Sequence, residues 1–167
     1  MKGEGDGVTF GQLFRKWGLV SIKLNVGFAE LEFNATEDDQ TAAWEMYIEL
    51  LTRVTTQPIE DSMGDEETAL TSIFNLFDST RKILREKGRQ ANNFAKISII
   101  VLNQIIRPFT AKWHKKKLSG AFFCEDECEA FRDELRKLQE KLVCYTRLLA
   151  DMAMVEDLTW IIAESDN

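Results

Sequence analysis

The carboxyl-terminal third of the chain carries a long apolar stripe, which constrains the fold more than any other feature of the sequence. Its residues follow one another in a first step of four positions and then in alternating steps of three and four. That spacing places them on one face of an α-helix, which other helices have to cover, within a bundle or across a dimer axis. The stripe comprises Cys124, Cys128, Phe131, Leu135, Leu138, Leu142, Tyr145, Leu149 and Met152.

Two further helices are predicted between residues 36 and 88. The first begins at a capping box made by Thr36 and Asp39, and Pro58 stops it. The second begins at the acidic residues 65–67 and ends at Gly88, because glycine is the residue that most often terminates a helix. Both segments have apolar side chains at helical spacing. These are Trp44, Ile48 and Leu51 in the first helix and Leu70, Ile73, Phe77 and Leu84 in the second.

A central helix is predicted to run from residue 90 to residue 119. Its sequence KISIIVLNQII is apolar nearly all the way round, which is typical of a helix surrounded by protein. Pro108 lacks a backbone N–H, and its ring clashes with the carbonyl four residues earlier, so we expect a kink there. On this helix Asn103, Arg107 and His114 share a stripe opposite the one that faces the core.

Residues 18–34 have a different period. Val20, Ile22, Leu24 and Val26 alternate with polar residues, as in a half-buried strand, and the phase of the alternation reverses after Gly27. Such a reversal at a glycine indicates a turn or a bulge between two strands, and we predict an antiparallel β-hairpin. The edges of this hairpin would be open to a strand from another chain.

The expected fold is therefore α+β and predominantly helical, with an amino-terminal β-hairpin packed on a bundle of about four helices, the central one kinked. Residues 1–7, which include three glycines, are expected to form a flexible tail, and residues 8–167 a single domain. In this domain a short helix at residues 10–17 precedes the hairpin at 18–34, and the bundle spans 36–167.

Composition restricts the compartment and the class of partner. A net charge of −7 disfavours indiscriminate binding to nucleic acid, and no run approaches the roughly 20 apolar residues of a membrane span. Three cysteines cannot all pair, so we expect free thiols and a cytoplasmic protein that does not bind a membrane. Cys124 and Cys128 have the spacing of two metal ligands, but both fit the apolar stripe better. We expect no metal and no cofactor.

The segment RPFTAKWHKKK, residues 107–117, contains five basic side chains and the single histidine of the chain. It is the candidate site for an anionic ligand, because guanidinium and ammonium groups bind phosphate and carboxylate. A structural interpretation stays open, since cations stabilise helix carboxyl ends and the acids at 125–129 are placed to neutralise the lysines at 115–117. The candidate ligand-binding residues are Asn103, Arg107, Lys112, His114, Lys115 and Lys116.

Arg107 and His114, separated by six residues, resemble the R-x(4–6)-H motif of the HEPN ribonucleases, which are compact helical bundles. The resemblance implies a dimer that joins two motifs, a histidine that moves a proton, and an arginine that holds phosphate charge. RNA or a nucleotide would be the ligand. Pro108 departs from the family pattern, in which a polar residue usually follows the arginine. The string RPFTAKWH also resembles segments of helical proteins from bacterial defence operons, which implies an antiviral role.

Three functional hypotheses follow, one of which is an accessory subunit that is stable only in a larger assembly and whose hairpin completes a neighbour's sheet. The preferred one is a non-enzymatic interaction or assembly module of a cytosolic complex, which binds a partner protein or a second copy of itself and an anionic ligand at the basic end of the kinked helix. The docking surface would be the last long helix or the hairpin edge. The alternative is a metal-independent ribonuclease with Arg107 and His114 as catalytic residues in a dimer. The candidate partner-binding residues are Trp113, Leu135, Leu138, Leu142 and Tyr145.

Overall fold

The computed structural model describes residues 7–57 and 65–163, and within these ranges every regular element is helical. The expected tail at residues 1–7 therefore lies almost entirely outside the described residues. Pro58 also lies outside them, and the prediction that it stops the first helix is wrong, because the helix already ends at Leu51. The α-helices are α1 (Phe10–Lys16), α2 (Val26–Ala29), α3 (Glu37–Leu51), α4 (Glu66–Phe74), α5 (Leu76–Lys87), α6 (Asn92–Val101), α7 (Arg107–Leu118), α8 (Glu125–Ala153) and α9 (Trp160–Ala163).

Helices α3 and α8 form the centre of the bundle and pack on each other more extensively than any other pair in the described part of the chain. From α3, Ala42, Met46 and Tyr47 are completely buried. From α8, the apolar stripe is buried from Phe131 to Met152. The stripe is thus covered by the chain's own helices, which is the first of the two arrangements that its spacing predicts.

The predicted capping box at the start of α3 is confirmed. The Thr36 side chain accepts a hydrogen bond from the Asp39 backbone N–H, and the Asp39 carboxylate accepts one from the Thr36 N–H. The same carboxylate also accepts hydrogen bonds from the Asn93 side chain and from the Phe94 N–H, at 2.9 Å each. One buried aspartate therefore caps α3 and also the first turn of α6, a helix without a capping side chain of its own.

The helix predicted between residues 65 and 88 is divided into α4 and α5. Asn75 separates them, because it is both the C-cap of α4 and the N-cap of α5. Asparagine has low helix propensity, which suits a junction of this kind. Asp65 caps α4 by accepting a hydrogen bond from the Thr68 N–H, and Gly88 ends α5 with a φ of 68°. Both predicted ends are confirmed.

The helix predicted from residue 90 to residue 119 departs from α geometry just before the predicted kink. Residues Leu102–Ile106 form a π turn between α6 and α7, and Pro108 lies in the first turn of α7. The carbonyl four residues before Pro108 belongs to Gln104, which lies inside the π turn. In the wider turn this carbonyl does not need the α-helical hydrogen bond that Pro108 cannot donate. The π turn therefore accommodates the proline.

The predicted β-hairpin at residues 18–34 is wrong, and with it the α+β class. Residues 18–25 form a loop, and Gly27 lies inside α2 instead of in a turn between strands. Asn25 caps α2 by accepting a hydrogen bond from the Phe28 N–H at 2.7 Å. The backbone N–H and C=O of Lys23 pair with the side-chain amide of Gln104 at 2.8 Å each, so a side chain takes the place of a partner strand.

The second arm of the predicted hairpin pairs elsewhere. A single antiparallel bridge joins Thr9 to Glu32, and the Phe10 and Phe33 N–H groups donate to the carbonyls of Leu31 and Val8. This bridge ties the segment after α2 to the residues before α1. Alternation of apolar and polar residues was thus a wrong sign of strand pairing, and only part of the apolar set is covered, since Ile22 is buried whereas Val20 and Val26 are exposed.

Candidate functional site

The candidate site lies on α7 and on the turn that joins α7 to α8. The last turn of α7 carries Lys115, Lys116 and Lys117, and Gly120 reverses the chain with a φ of 80°. A short 3-10 turn at Ala121–Phe123 then leads into α8. We call residues 115–129 the α7–α8 corner. Its two sides have opposite charge, because lysines end one helix and acids open the next.

Arg107 and Asn103, one helical turn apart, hold each other on the exposed surface of the central helix. The Arg107 Nε donates to the Asn103 Oδ1 at 3.0 Å, and the guanidinium lies 4.9 Å from the centre of the Phe77 ring. Both side chains are exposed. The arginine is therefore accessible to an anion, although its guanidinium already covers an aromatic ring of α5.

His114 packs against α4. Its ring meets the Phe74 ring edge to face with centroids 5.0 Å apart. Partial burial lowers the pKa of His114 below its usual value, and the nearby Lys117 ammonium lowers it further. The imidazole is consequently neutral at pH 7. Arg107 and His114 lie seven positions apart on the same helix and contact different aromatic rings, Phe77 and Phe74.

Trp113 is completely buried and anchors the amino-terminal half of α8. Its ring stacks on Phe122 and meets Phe131 edge to face, with centroid distances of 6.1 Å and 5.0 Å. Its Nε1 donates to the Glu134 Oε2 at 2.9 Å. Burial by itself would raise the pKa of Glu134, but hydrogen bonds from Lys112 and Trp113 hold it below its usual value. The carboxylate therefore stays charged and keeps both partners.

Ion pairs neutralise most of the basic segment. Lys112 pairs with Glu134, Lys116 pairs with Glu127 at 2.5 Å, and Lys117 pairs with Glu67 of α4 at 2.5 Å. The Lys116–Glu127 pair crosses the turn at Gly120, as the structural interpretation of the sequence predicts. Among the described residues Lys115 has no carboxylate partner. Lys112, Lys115 and Lys116 line a groove of about 510 Å³ together with Glu127 and Cys124.

The five candidate partner-binding residues lie in the interior. Trp113 and Leu142 have no exposed surface, and the others are at most 5% exposed. The Tyr145 hydroxyl forms a buried hydrogen bond with Ser98 at 2.9 Å, and burial raises the pKa of this tyrosine well above its usual value. None of these side chains is accessible to a second molecule without unfolding of the bundle. The set comprises Trp113, Leu135, Leu138, Leu142 and Tyr145.

Sequence reasoning missed the apolar residues that are exposed at the corner. Leu118 is 89% exposed and Phe123 is 98% exposed, the two highest values among large apolar side chains in the described residues. They lie on either side of Gly120, and the Phe123 ring lies against this glycine. One signal in the sequence was available, because neither residue falls on the apolar stripe of α8. Only the structure shows that no element in the described part of the chain covers them.

The described residues contain neither a metal site nor a helix that could span a membrane. Cys124, Cys128 and Cys144 are free thiols, and the Cys128 Sγ donates to the Phe122 carbonyl at 3.4 Å. In residues 7–57 and 65–163 no three His, Cys, Asp or Glu side chains are grouped closely enough to hold a metal ion. Across the same ranges, the helices lack the combination of length and apolarity that a bilayer crossing requires.

Comparison with known proteins gives no relative from which to transfer a function. No model of a protein family matches the chain, and neither the curated proteins nor the solved structures contain a significant match.

Proposed function

We propose that this protein is an interaction module that docks a partner protein through the α7–α8 corner. The observation that carries the proposal is the exposure of Leu118 and Phe123, 89% and 98%, on either side of the turn at Gly120. Burying a phenylalanine or leucine side chain is worth about 1.5–3 kcal/mol, which the isolated chain leaves unused at this point. Exposed aromatic anchors of this kind dominate the energetics of many protein interfaces.

The charges around the corner specify the partner. Glu125, Asp126 and Glu129 are exposed and make no ion pair with any described residue, whereas three of the four lysines in the basic segment are already paired. The corner therefore offers two apolar side chains with a net acidic rim. We infer that the partner has an apolar pocket bordered by basic side chains, and that salt weakens the complex. This geometry favours a protein partner over a free anion.

The ribonuclease alternative gains no specific support from the geometry. His114 packs on Phe74, and Arg107 is held by Asn103 over Phe77, so each side chain has structural contacts of its own. We therefore keep to the docking function.

The proposal is tested by placing a photo-crosslinking amino acid at position 123 in the intact protein and identifying the captured protein from its host cells. The purified partner is then titrated with the unmodified chain and with variants. Phe123→Ser and Leu118→Ser should each raise the Kd about tenfold or more, as expected for the loss of about 1.5 kcal/mol of apolar burial. Ile99→Ser removes an apolar residue that is 48% exposed on α6 and serves as the matched control.

Two results would contradict the docking function. One is an unchanged Kd for both corner variants. The other is equal crosslinking to the same protein from position 99, since that would mean that the capture does not depend on the corner. A fall in affinity between low and high salt separates the acidic rim from the apolar contact, because only the former is screened.

A further inference from the structure

A second surface, remote in sequence from the corner, has the form of a small-molecule site. A groove of about 700 Å³ lies between α1, the loop at 18–25 and α2. Phe14, Leu19 and Ile22 form its buried floor, each at most 9% exposed. Val20 and Val26 stand on its walls and are 75% and 72% exposed. The volume is in the range of pockets that hold small ligands, which are typically about 300–1,000 Å³.

The walls of the groove are held in place by hydrogen bonds. The Leu19 N–H donates to the Phe14 carbonyl at 2.9 Å, which fixes the loop against the end of α1. Further along the same loop, the Gln104 amide pairs with both backbone groups of Lys23. α1 and α2 meet closely, since a Cβ on Gly11 would lie 3.0 Å from the Ala29 carbonyl oxygen. The groove is therefore formed before any ligand arrives, which lowers the entropic cost of binding.

Two charges of opposite sign line the groove. Arg15 lies on α1 and Glu30 directly follows α2, and both side chains are exposed. They make no ion pair with each other or with any other described residue. The side-chain oxygens of Thr9 and Gln12 are engaged, because each accepts a hydrogen bond from the other residue's backbone N–H. Arg15 and Glu30 are the charged groups available to a ligand in this groove.

We propose that this groove binds a small zwitterionic ligand with an apolar body, of the class of short hydrophobic peptides with free termini. The ligand carboxylate pairs with the Arg15 guanidinium, its ammonium pairs with Glu30, and its side chains cover Val20 and Val26. A ligand with one charge would leave either Arg15 or Glu30 without a counter-charge. A ligand with both charges satisfies both residues, and the apolar floor selects against polar side chains.

The test uses the full chain, labelled with ¹⁵N, and the dipeptide L-leucyl-L-leucine as the probe. Titration at neutral pH should give saturable shifts at the amides of the loop and of α2. Arg15→Gln and Glu30→Gln should each weaken binding about tenfold, as expected for loss of one charge-assisted hydrogen bond. Arg85→Gln on α5 removes another exposed arginine that lines no part of the groove, and it should leave the affinity unchanged.

A chemical control separates charge recognition from simple apolar contact. N-acetyl-leucyl-leucinamide has the same side chains without either charge and should bind at least tenfold more weakly than the dipeptide. Equal binding of the two peptides overturns the proposal, as does the absence of saturable shifts at millimolar dipeptide. Shifts confined to residues outside the groove overturn it too. Thermal unfolding of each variant confirms that the fold is intact, so a loss of binding is assigned to the groove. The result is independent of the docking function at the corner.

Discussion

At the scale of single residues, Asp39 shows how one buried carboxylate joins two helices. The side chain has no exposed surface, yet it accepts hydrogen bonds from four donors on Thr36, Asn93 and Phe94. Half of this arrangement is legible in the sequence, where Thr36 and Asp39 have the spacing of a capping box. The other half joins residues 54 and 55 positions apart, which no local pattern encodes.

Replacing Asp39 with alanine should therefore uncap two helices at once. We expect Asp39→Ala to lower the free energy of unfolding by about 2–4 kcal/mol, since each lost cap costs about 1 kcal/mol and buried donors lose their partner. Asp38→Ala removes an exposed neighbouring carboxylate and is the matched control. Chemical denaturation measures both. Equal stability of the two variants would mean that the hydrogen bonds from Asp39 to α6 do not contribute to the free energy of unfolding.

His114 should make stability depend on pH in the neutral range. Because burial and Lys117 lower its pKa in the folded state, the unfolded chain binds more protons than the folded chain near that pKa. Stability is then fully present above the unfolded pKa of about 6.5 and decreases as the pH falls through the folded value. Urea unfolding between pH 8 and pH 5 should show a decrease that is smaller in His114→Gln. Parallel curves for the two proteins would contradict this linkage.

At the scale of elements, the π turn between α6 and α7 is the feature that organises the amino-terminal region. It accommodates Pro108 and holds Gln104 where its amide pairs with the backbone of Lys23. The irregularity in the helix and the conformation of the loop at 18–25 are thus coupled through Gln104. π turns are often found at functional sites, and here the turn supports one wall of the α1–α2 groove.

Removal of the Gln104 amide should release the loop. Gln104→Leu leaves the Lys23 N–H and C=O without their partner, and we expect a loss of about 1–2 kcal/mol of stability. Hydrogen exchange at the Lys23 amide should accelerate to a greater extent than exchange in α3. Lys23→Ala keeps the backbone pairing and should leave that amide as protected as in the parent chain. Acceleration by the alanine variant instead would assign the loop conformation to the lysine side chain.

The carboxyl end of α8 contains a strained residue. Met154 has a φ of 57°, and it closes the helix with its N–H donating to Asp151 and the Val155 N–H donating to Ala150. Glycine adopts this conformation without the steric cost of a Cβ, which is about 1–2 kcal/mol, although it loses more chain entropy on folding.

We expect Met154→Gly to raise the free energy of unfolding by about 0.5 kcal/mol, the difference between those two effects. Both this variant and Met154→Ala remove the 3.5 Å contact between the Gln40 Nε2 and the methionine Sδ. Met154→Ala keeps the strained backbone, so it should not raise the free energy of unfolding. Calorimetric melting temperatures distinguish the two variants. If glycine also fails to stabilise, the Gln40 contact outweighs the backbone strain.

At the scale of the whole molecule, the buried stripe of α8 contributes to stability, whereas the corner, which we propose as the docking surface, lies outside the core. Leu142 has no exposed surface, so Leu142→Ala should lower the free energy of unfolding by about 2–5 kcal/mol. Its sedimentation behaviour should match that of the parent chain at temperatures where both are folded. Lys141→Ala, on the exposed face of the same helix, should change neither property. A change of oligomeric state in Leu142→Ala would show that the stripe also contacts a second molecule.

The fold was predictable where local chemistry determines it. The stripe of α8, the capping box at Thr36, and the glycines that follow α1 and α5 were all evident, because spacing, capping and positive φ act within a few residues. The hairpin at 18–34 was wrong because the same alternation serves a loop held by Gln104, 81 positions away. The division of residues 65–88 at Asn75 was missed for lack of a strong breaker such as proline.

The candidate site divides in the same way. The sequence placed Arg107 and His114 on one helix and anticipated the pairing of lysines with the acids that open α8, which the structure shows for Lys116 and Glu127. It assigned Trp113 and the α8 stripe to a partner because an apolar seam has the same pattern whether its cover comes from the same chain or another. The exposed side chains at the corner, Leu118 and Phe123, differ from core residues only in what surrounds them.

By itself the sequence determined the amphipathic helix α8, the caps at the start of α3 and at the end of α5, and a basic segment facing an acidic one, but it gave α+β where every regular element in the described residues is helical. These properties follow from side-chain periodicity and from interactions over three or four residues, which depend only on neighbouring positions in the chain. Only the tertiary structure decided which apolar residues are covered, which lysines keep a carboxylate, and what holds residues 18–25. Those outcomes depend on contacts between segments distant in the chain, and such contacts exist only once the bundle has formed.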